Sequence, residues 1–262
     1  MSGILNPAVL VLGASGTVGS GVVGALLEAG SPVLGVARDP DRLARLAQRF
    51  ADEPGLELLQ GSVADDEEAA RLATRLRLRG RPLRAIVASL AGPVERGSLI
   101  ERPTGDLRRQ LETDLLPHLA AARYLLPLLA ESAGQAEAQP AHYILVGATG
   151  AQCGWAGYGH ASIAVSALQM LAKVLHEEAA PLGVRVQMLS LDHPVADPGI
   201  AGRDCARWPS ALSVGRRAVA MLLRDDRPVK AVVRFSEPWT PPPTRTLFPA
   251  PSIPPSPSEV SP

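Results

Sequence analysis

Seven residues, Gly13-Ala14-Ser15-Gly16-Thr17-Val18-Gly19, form the pattern best suited to chemistry on the main chain. A glycine-rich loop between a buried strand and a helix can hold a diphosphate on its free N–H groups. Gly13 would permit the tight turn and Gly16 would let phosphates approach the backbone. Gly19 would let helix and strand pack closely, while Ser15, Thr17 and Val18 share the same loop. The bland alternative is an ordinary glycine-rich turn, against which the β-α-β context argues. The second discriminator is Val36-Ala37-Arg38-Asp39. A carboxylate at the end of that strand would bond the adenosine ribose of NAD and repel a 2′-phosphate. Ala37 leaves room there, and Arg38, with Arg42 as support, can pair with a phosphate. The pattern favours NADP(H) over NAD(H).

The elements that must position these residues follow from apolar runs and their punctuation. Ala8 to Leu12, Pro32 to Val36, Leu56 to Leu59, Leu83 to Ser89, His142 to Val146, Val184 to Ser190 and Val229 to Phe235 read as strands. Between them, helices are predicted over Gly16 to Ala29, Asp39 to Phe50, Asp65 to Leu76, Thr104 to Ala130, Tyr158 to Ala180 and Ser210 to Leu223. The fourth of these is expected to adjust at Pro117. Repeated β-α units predict a Rossmann-type α/β fold, a doubly wound parallel sheet of about seven strands with helices on both faces. Ligands then bind beyond the carboxyl ends of the strands, at the switch point. One domain is expected over 1–236. A Pro-rich tail follows over 237–262, with too few large apolar residues to order itself. Its Pro-x-x-Pro spacings, Pro251 to Pro254 and Pro254 to Pro257, suit a polyproline-recognition domain or a plain flexible tail.

Taken together, the chain resembles the short-chain dehydrogenase/reductase superfamily over residues 8 to 235. The glycine loop and Ala37-Arg38 carry part of the resemblance. Gly61-Ser62-Val63 is similar to the family's adenine-contacting Asp-Val step, and Ser89-Leu90-Ala91-Gly92 stands where the family has Asn-Asn-Ala-Gly. Tyr158-Gly159-His160-Ala161-Ser162-Ile163-Ala164 resembles the family's Tyr-x-x-x-Lys helix start, and Gly183-Val184-Arg185-Val186-Gln187 its sixth strand. The resemblance implies an oxidoreductase, with Ser62, Val63, Ser89, Ala91 and Gly92 added to the cofactor site. It also implies a proton-transferring Tyr, a Lys that tunes it, a substrate-orienting Ser and a supporting Asn.

The residues depart from that set. The Asn position reads Asp114, expected in a structural hydrogen-bond role, and the Ser position falls at or near Gly147. Matching Ala161-Ser162 to the family's Ala-Ser-Lys puts Ile163 at the Lys and Gly159 at the Tyr. Matching Tyr158 directly puts Ser162 four residues on. Neither register offers a Lys, and without a nearby cation Tyr158 is a poor acid–base catalyst at neutral pH. The catalytic candidates are therefore Tyr158, Thr149 as the polarising group, and His160, brought alongside by an irregular first turn. Asp192-His193 after the sixth strand is a further polar pair. Each has a bland reading as surface or capping polarity.

Composition bounds the rest. Lys plus Arg is 26 and Asp plus Glu is 26, so no global field attracts nucleic acid or an anionic membrane. The local run Arg71, Arg75, Arg77, Arg79, Arg81 and Arg84 reads as a solvated helix end. Cys153 and Cys205 suggest neither a disulfide framework nor a nucleophile, and no cluster has metal-ligand spacing. Met1 to Pro7 lacks the charged start of a targeting sequence and no run spans a membrane, so a cytoplasmic protein is expected. The lines Leu115, Leu119, Ala122, Leu126 and Val165, Leu168, Leu171, Ala172, Leu175 are explained by core packing. The resemblance adds a homodimer or homotetramer through the same helices. The loop of about His193 to Pro209 suggests a small substrate lid. Two classes of function follow: an NADP(H)-dependent oxidoreductase on a small carbonyl or alcohol, or a redox-silent NADP(H)-binding sensor or partner subunit. A non-redox enzyme on the same scaffold is a variant of the first.

Overall fold

The structure, a computed structural model, describes residues 9–133, 140–148, 154–196, 208–223 and 229–236. Seven strands alternate with seven helices: β1 (Val9–Leu12), α1 (Thr17–Glu28), β2 (Val33–Ala37), α2 (Pro40–Arg49), β3 (Leu56–Gln60), α3 (Asp66–Leu78), β4 (Ala85–Ala88), α4 (Thr104–Asp114), α5 (Leu116–Ala133), β5 (Ala141–Gly147), α6 (Gly159–Ala179), β6 (Val184–Leu191), α7 (Ala211–Leu223) and β7 (Val232–Phe235). The sheet order is β3-β2-β1-β4-β5-β6-β7 and every pairing is parallel. Strand order therefore reverses beside β1, where Val9 pairs with Val33 on one side and Ala85 on the other. The expected α/β architecture is what forms.

Alternation along β1 divides the core in two. Leu10 and Leu12 face one layer, where Leu72 of α3, Leu125 of α5 and Leu168 of α6 pack. Val9 and Val11 face the other, against Val22 and Leu26 of α1 and Val214 of α7. Both faces of every central strand are thus dry, which is why these strands read as unbroken apolar runs. Helix α1 is buried on nearly all sides from Gly19 to Leu27, more than a one-faced helix predicts. The reason is α7, which lies on its outer side. A Cβ at Gly21 would run into the Ala211 carbonyl oxygen, and one at Gly215 into that of Gly21.

Local signals set several boundaries. Asp39 caps α2 through one carboxylate oxygen that accepts from the N–H groups of Asp41 and Arg42, at 2.9 and 3.1 Å, with Pro40 in the first turn. Asp65 caps α3 by accepting from Glu68 N–H at 2.8 Å. The single long helix predicted over Thr104 to Ala130 is in fact two. The helix is interrupted at Leu115, where φ widens to −116°, and α5 begins again with Pro117 in its first turn, where a missing N–H costs nothing. The arginine run is paired on the surface. Arg79 and Arg81 both hold Glu57, Arg77 holds Glu131 at 2.8 Å, and Arg71 holds Glu67. Exposed pairs of this kind contribute at most about 1 kcal/mol each. No helix among the described residues is long and apolar enough to cross a membrane.

The start of α5 also carries a buried histidine. His118 is fully enclosed, and its Nε2 lies 3.0 Å from the Leu90 carbonyl oxygen. A carbonyl only accepts, so Nε2 carries the proton and Nδ1 keeps a lone pair without a partner among the described residues. Burial pushes the His118 pKa down to about 4, against the smaller opposing effect of the Leu90 hydrogen bond. A depressed histidine stabilises the fold fully only above its unfolded pKa of about 6.5, and that stability drains away as pH falls towards 4. The free energy of urea unfolding should therefore drop by about 2 kcal/mol between pH 7 and pH 5, and markedly less in His118→Leu.

Candidate functional site

The turn between β1 and α1 is made by close backbone contact. Gly13 has φ +72°, and a Cβ there would run into the Ser89 carbonyl oxygen. A Cβ at Gly19 would run into the carbonyl of Gly13 itself. Gly16, extended at φ −77° and ψ 166°, precedes the first helical residue and has no side chain to cap it. The front of α1 is therefore met only by main chain, with the positive end of the helix behind it. This is a cradle that side chains would fill, and it fits a diphosphate.

A cleft of about 630 Å³ opens from this turn across the ends of β2 and β4. Gly13, Ser15, Gly16, Thr17 and Val18 form its floor. Arg38, Ser62 and Val63 form one wall, and Ser89, Ala91 and Gly92 the other. Gly19 lies behind the floor rather than on it, where its contact with Gly13 closes the turn. Arg38 is exposed at the end of β2, its main-chain carbonyl held by the Gln60 side chain at 3.2 Å. Arg42 reaches back from α2, and its Nη2 donates to the Ser15 carbonyl oxygen at 3.0 Å. Two guanidinium groups thus stand on the wall where an NAD-type site would carry a carboxylate. The nearest carboxylate, Asp39, spends one oxygen on the α2 cap.

The opposite wall is pinned by Asp114. Gly92 N–H donates to its Oδ1 at 2.7 Å, Gln110 Nε2 donates to Oδ2 at 2.6 Å, and Thr113 Oγ1 lies 3.0 Å from Oδ1. Both oxygens receive donors, so an amide at this position would turn an N–H against one of them. The expected structural role of Asp114 has a geometric basis. Thr113 also packs on Gly92 so closely that a Cβ there would lie 2.6 Å from its Oγ1. Glu112, Thr113 and Pro117 complete the cleft, walls that the linear spacing of motifs gave no means of assigning.

The catalytic candidates do not converge on this cleft. Tyr158 precedes α6, with the Arg96 guanidinium 5.1 Å above its ring and Trp155 edge-on at 6.2 Å. A cation is present after all, but over the ring face. His160 is 5% exposed and faces a second, smaller hollow. Neither residue is part of the cleft wall. Tyr158 stands before the first turn of α6, outside helical geometry, and does not share a hollow with His160. Thr149, Cys153, Cys205, most of the lid loop and the Pro-rich tail lie outside the described residues. Asp192 is held by Arg234 at 3.2 Å, and His193 is exposed without a place in either hollow. In the register that matches Ala161-Ser162, Gly159 has the Leu99 side chain where its Cβ would be and Ile163 is 41% exposed; in the register that matches Tyr158, Ser162 is buried; Gly147 is covered by Met188.

Comparison with known proteins points one way. A sequence model of the family described as short chain dehydrogenase matches residues 7–192. The chain is 26% identical over 216 residues to the rhamnolipids biosynthesis 3-oxoacyl-(acyl-carrier-protein) reductase of Pseudomonas aeruginosa, covering 81% of each protein. Its fold matches a short-chain type dehydrogenase/reductase from Mycobacterium ulcerans with TM-score 0.77 and 17% identity, over 88% of each chain. It matches the Pseudomonas aeruginosa RhlG/NADP active-site complex with TM-score 0.76 and 22% identity, over 88% of this chain and 96% of that one. The wall built on Asp114 should be the costliest to disturb. Asp114→Ala leaves the Gly92 N–H and the Gln110 amide without an acceptor, and should lower the free energy of urea unfolding by about 2 kcal/mol.

Proposed function

The chain belongs to the short chain dehydrogenase family, and we propose that it is an NADP(H)-dependent oxidoreductase acting on a small carbonyl or alcohol through an atypical active site. The observation that carries this reading is the pair Arg38 and Arg42 on a cleft whose floor is bare main chain. The relative named as a 3-oxoacyl reductase and the fold match bound to NADP support the same class of substrate and cofactor.

In this reading the main chain of Gly13 to Val18 holds the diphosphate, and Arg38 and Arg42 hold the 2′-phosphate. Ser62 and Val63 face the adenine, while Ser89, Ala91 and Gly92, kept in place by Asp114, line the path towards the reacting end. The bound cofactor would supply or accept the hydride. The chain's part is then to bind the substrate, orient it, and provide or remove one proton at its oxygen. Neither register of the α6 start supplies a Lys, and Gly147 stands at or near the Ser position, so Thr149, His160 and Tyr158 are the candidates to move that proton.

A second reading is favoured by one feature, the Leu99 side chain seated where a side chain at residue 159 would stand. A protein that binds NADP(H) without turning it over, as a sensor or partner subunit, has no need of that space. Self-association follows from another feature. Leu116, Leu119, Ile163, Met170 and Val174 are 41 to 57% exposed on α5 and α6, and Leu119, expected to pack inward with Leu115, Ala122 and Leu126, stands in this exposed stripe instead. We assign this stripe to a homodimer, or one interface of a homotetramer.

Fluorescence titration should show NADPH binding at least about tenfold tighter than NADH, and Arg38→Ala should remove most of that preference, a change of about 1.4 kcal/mol. Equal affinities in the unaltered protein would end the NADP assignment. Loss of NADPH absorbance with a panel of small ketones and aldehydes supports the enzyme; tight binding with no turnover across the panel supports the sensor. Light scattering should give a dimer or tetramer, and Met170→Glu should shift it towards monomer.

A further inference from the structure

We propose that the aromatic pair Trp155 and Tyr158 is a docking site for the chain's own Pro-rich segment, Pro251 to Pro257. The surface is built from two loops at the carboxyl end of the sheet. Gly97 N–H donates to the Gly157 carbonyl oxygen at 2.9 Å, and Gly97 pairs with Tyr158 in a parallel bridge. This joins the loop after β4 to the segment before α6. Trp155 stands edge-on to Tyr158 at 6.2 Å and is exposed. On the joined loop Val94, Leu99 and Ile100 are exposed as well, Ile100 at 94%. Large apolar side chains left open to water on two joined loops mark an interaction surface.

The chemistry of the aromatic pair selects its occupant. Polyproline helices dock on aromatic-lined surfaces because they are extended beforehand and lose little freedom on binding. Their peptide carbonyls make no internal hydrogen bonds, so they can accept from the Trp155 indole N–H and the Tyr158 hydroxyl. With three residues per turn, Pro251, Pro254 and Pro257 fall on one face of such a helix. Charge agrees with this pairing. Glu259, two residues past Pro257, is the sole charged residue in 246–262, and the exposed Arg96 guanidinium lies over the Tyr158 ring.

Reach permits the contact. Strands β5, β6 and β7 end level with one another, since Gly147 pairs with Ser190 and Ser190 with Arg234. The chain therefore leaves β7 at the end of the sheet where the segment after β5 begins, two strand spacings or roughly 10 Å away. Residues 237–262 lie outside the described residues. Pro251 comes fifteen residues after Ser236, a span of roughly 45 Å in polyproline form. A seated segment would cover Tyr158, and the docking needs no cofactor in the cleft.

The test uses the full chain labelled with nitrogen-15, which has three indole N–H groups, on Trp155, Trp208 and Trp239. Combining Pro251→Ala, Pro254→Ala and Pro257→Ala should move the Trp155 signal and leave that of Trp208 in place, a sign that the fold is kept. A synthetic peptide of residues 248–260 should bring the Trp155 signal of this variant back, saturably. In the unaltered chain the tethered segment competes at an effective concentration in the millimolar range, so the same peptide should bind at least about tenfold more weakly there. Equal affinity for the two chains means that the tail does not hold the site, and overturns the proposal. A Trp155 signal indifferent to both the substitutions and the peptide overturns it too. If diluting the unaltered chain moves its Trp155 signal towards that of the variant, the occupant is the tail of a second copy, and the assignment to the chain's own segment falls.

Discussion

The carbonyl of Ser89 and the backbone of Gly13 and Gly19 meet at a separation that admits no Cβ. Most of the molecule exists to hold that meeting. Strand β1 must lie between β2 and β4, which puts the reversal of strand order beside it. Both faces of β1 must be dry, which requires helices on each side of the sheet. The reward is a helix front approached only by main chain, in a place where water-filled space rather than side chain lies ahead.

The wall opposite Arg38 is held by polar side chains, the half-buried Asp114 and the buried His118, instead of sheet pairing. Asp114 ties Gly92, and His118 ties Leu90, so two points of the loop after β4 hang from α4 and α5. Enclosed bonds of this kind are strong because the alternative is an unsatisfied group, and the loop inherits their stiffness.

Much of the architecture was legible in the linear sequence. Every strand has its core where the apolar runs fall, and Asp39-Pro40 opens α2 as its chemistry requires. The glycine loop was legible because its constraint is local: strand, turn and helix are contiguous. The rest depends on contacts between remote segments. Nothing near Gly159 in sequence announces that Leu99 will cover it, and nothing near His160 announces Gln110 or Asp106. The apolar lines on α5 and α6 were legible, but Leu119, read as part of the inward line of α5, lies in an exposed stripe with Leu116, Ile163, Met170 and Val174, and only packing tells the two apart. Arg42 was read as support for Arg38, whereas its grip on Ser15 makes it a strut of the loop as well.

The facing glycines of α1 and α7 have a mechanical corollary. Where two helices touch backbone to backbone, there is no rotamer to change and no soft atom to yield. Gly21 and Gly215 therefore act as a fused bearing, and the two helices translate together or not at all. Since α1 carries the anion cradle at its tip, the last helix becomes part of the foundation on which that cradle stands.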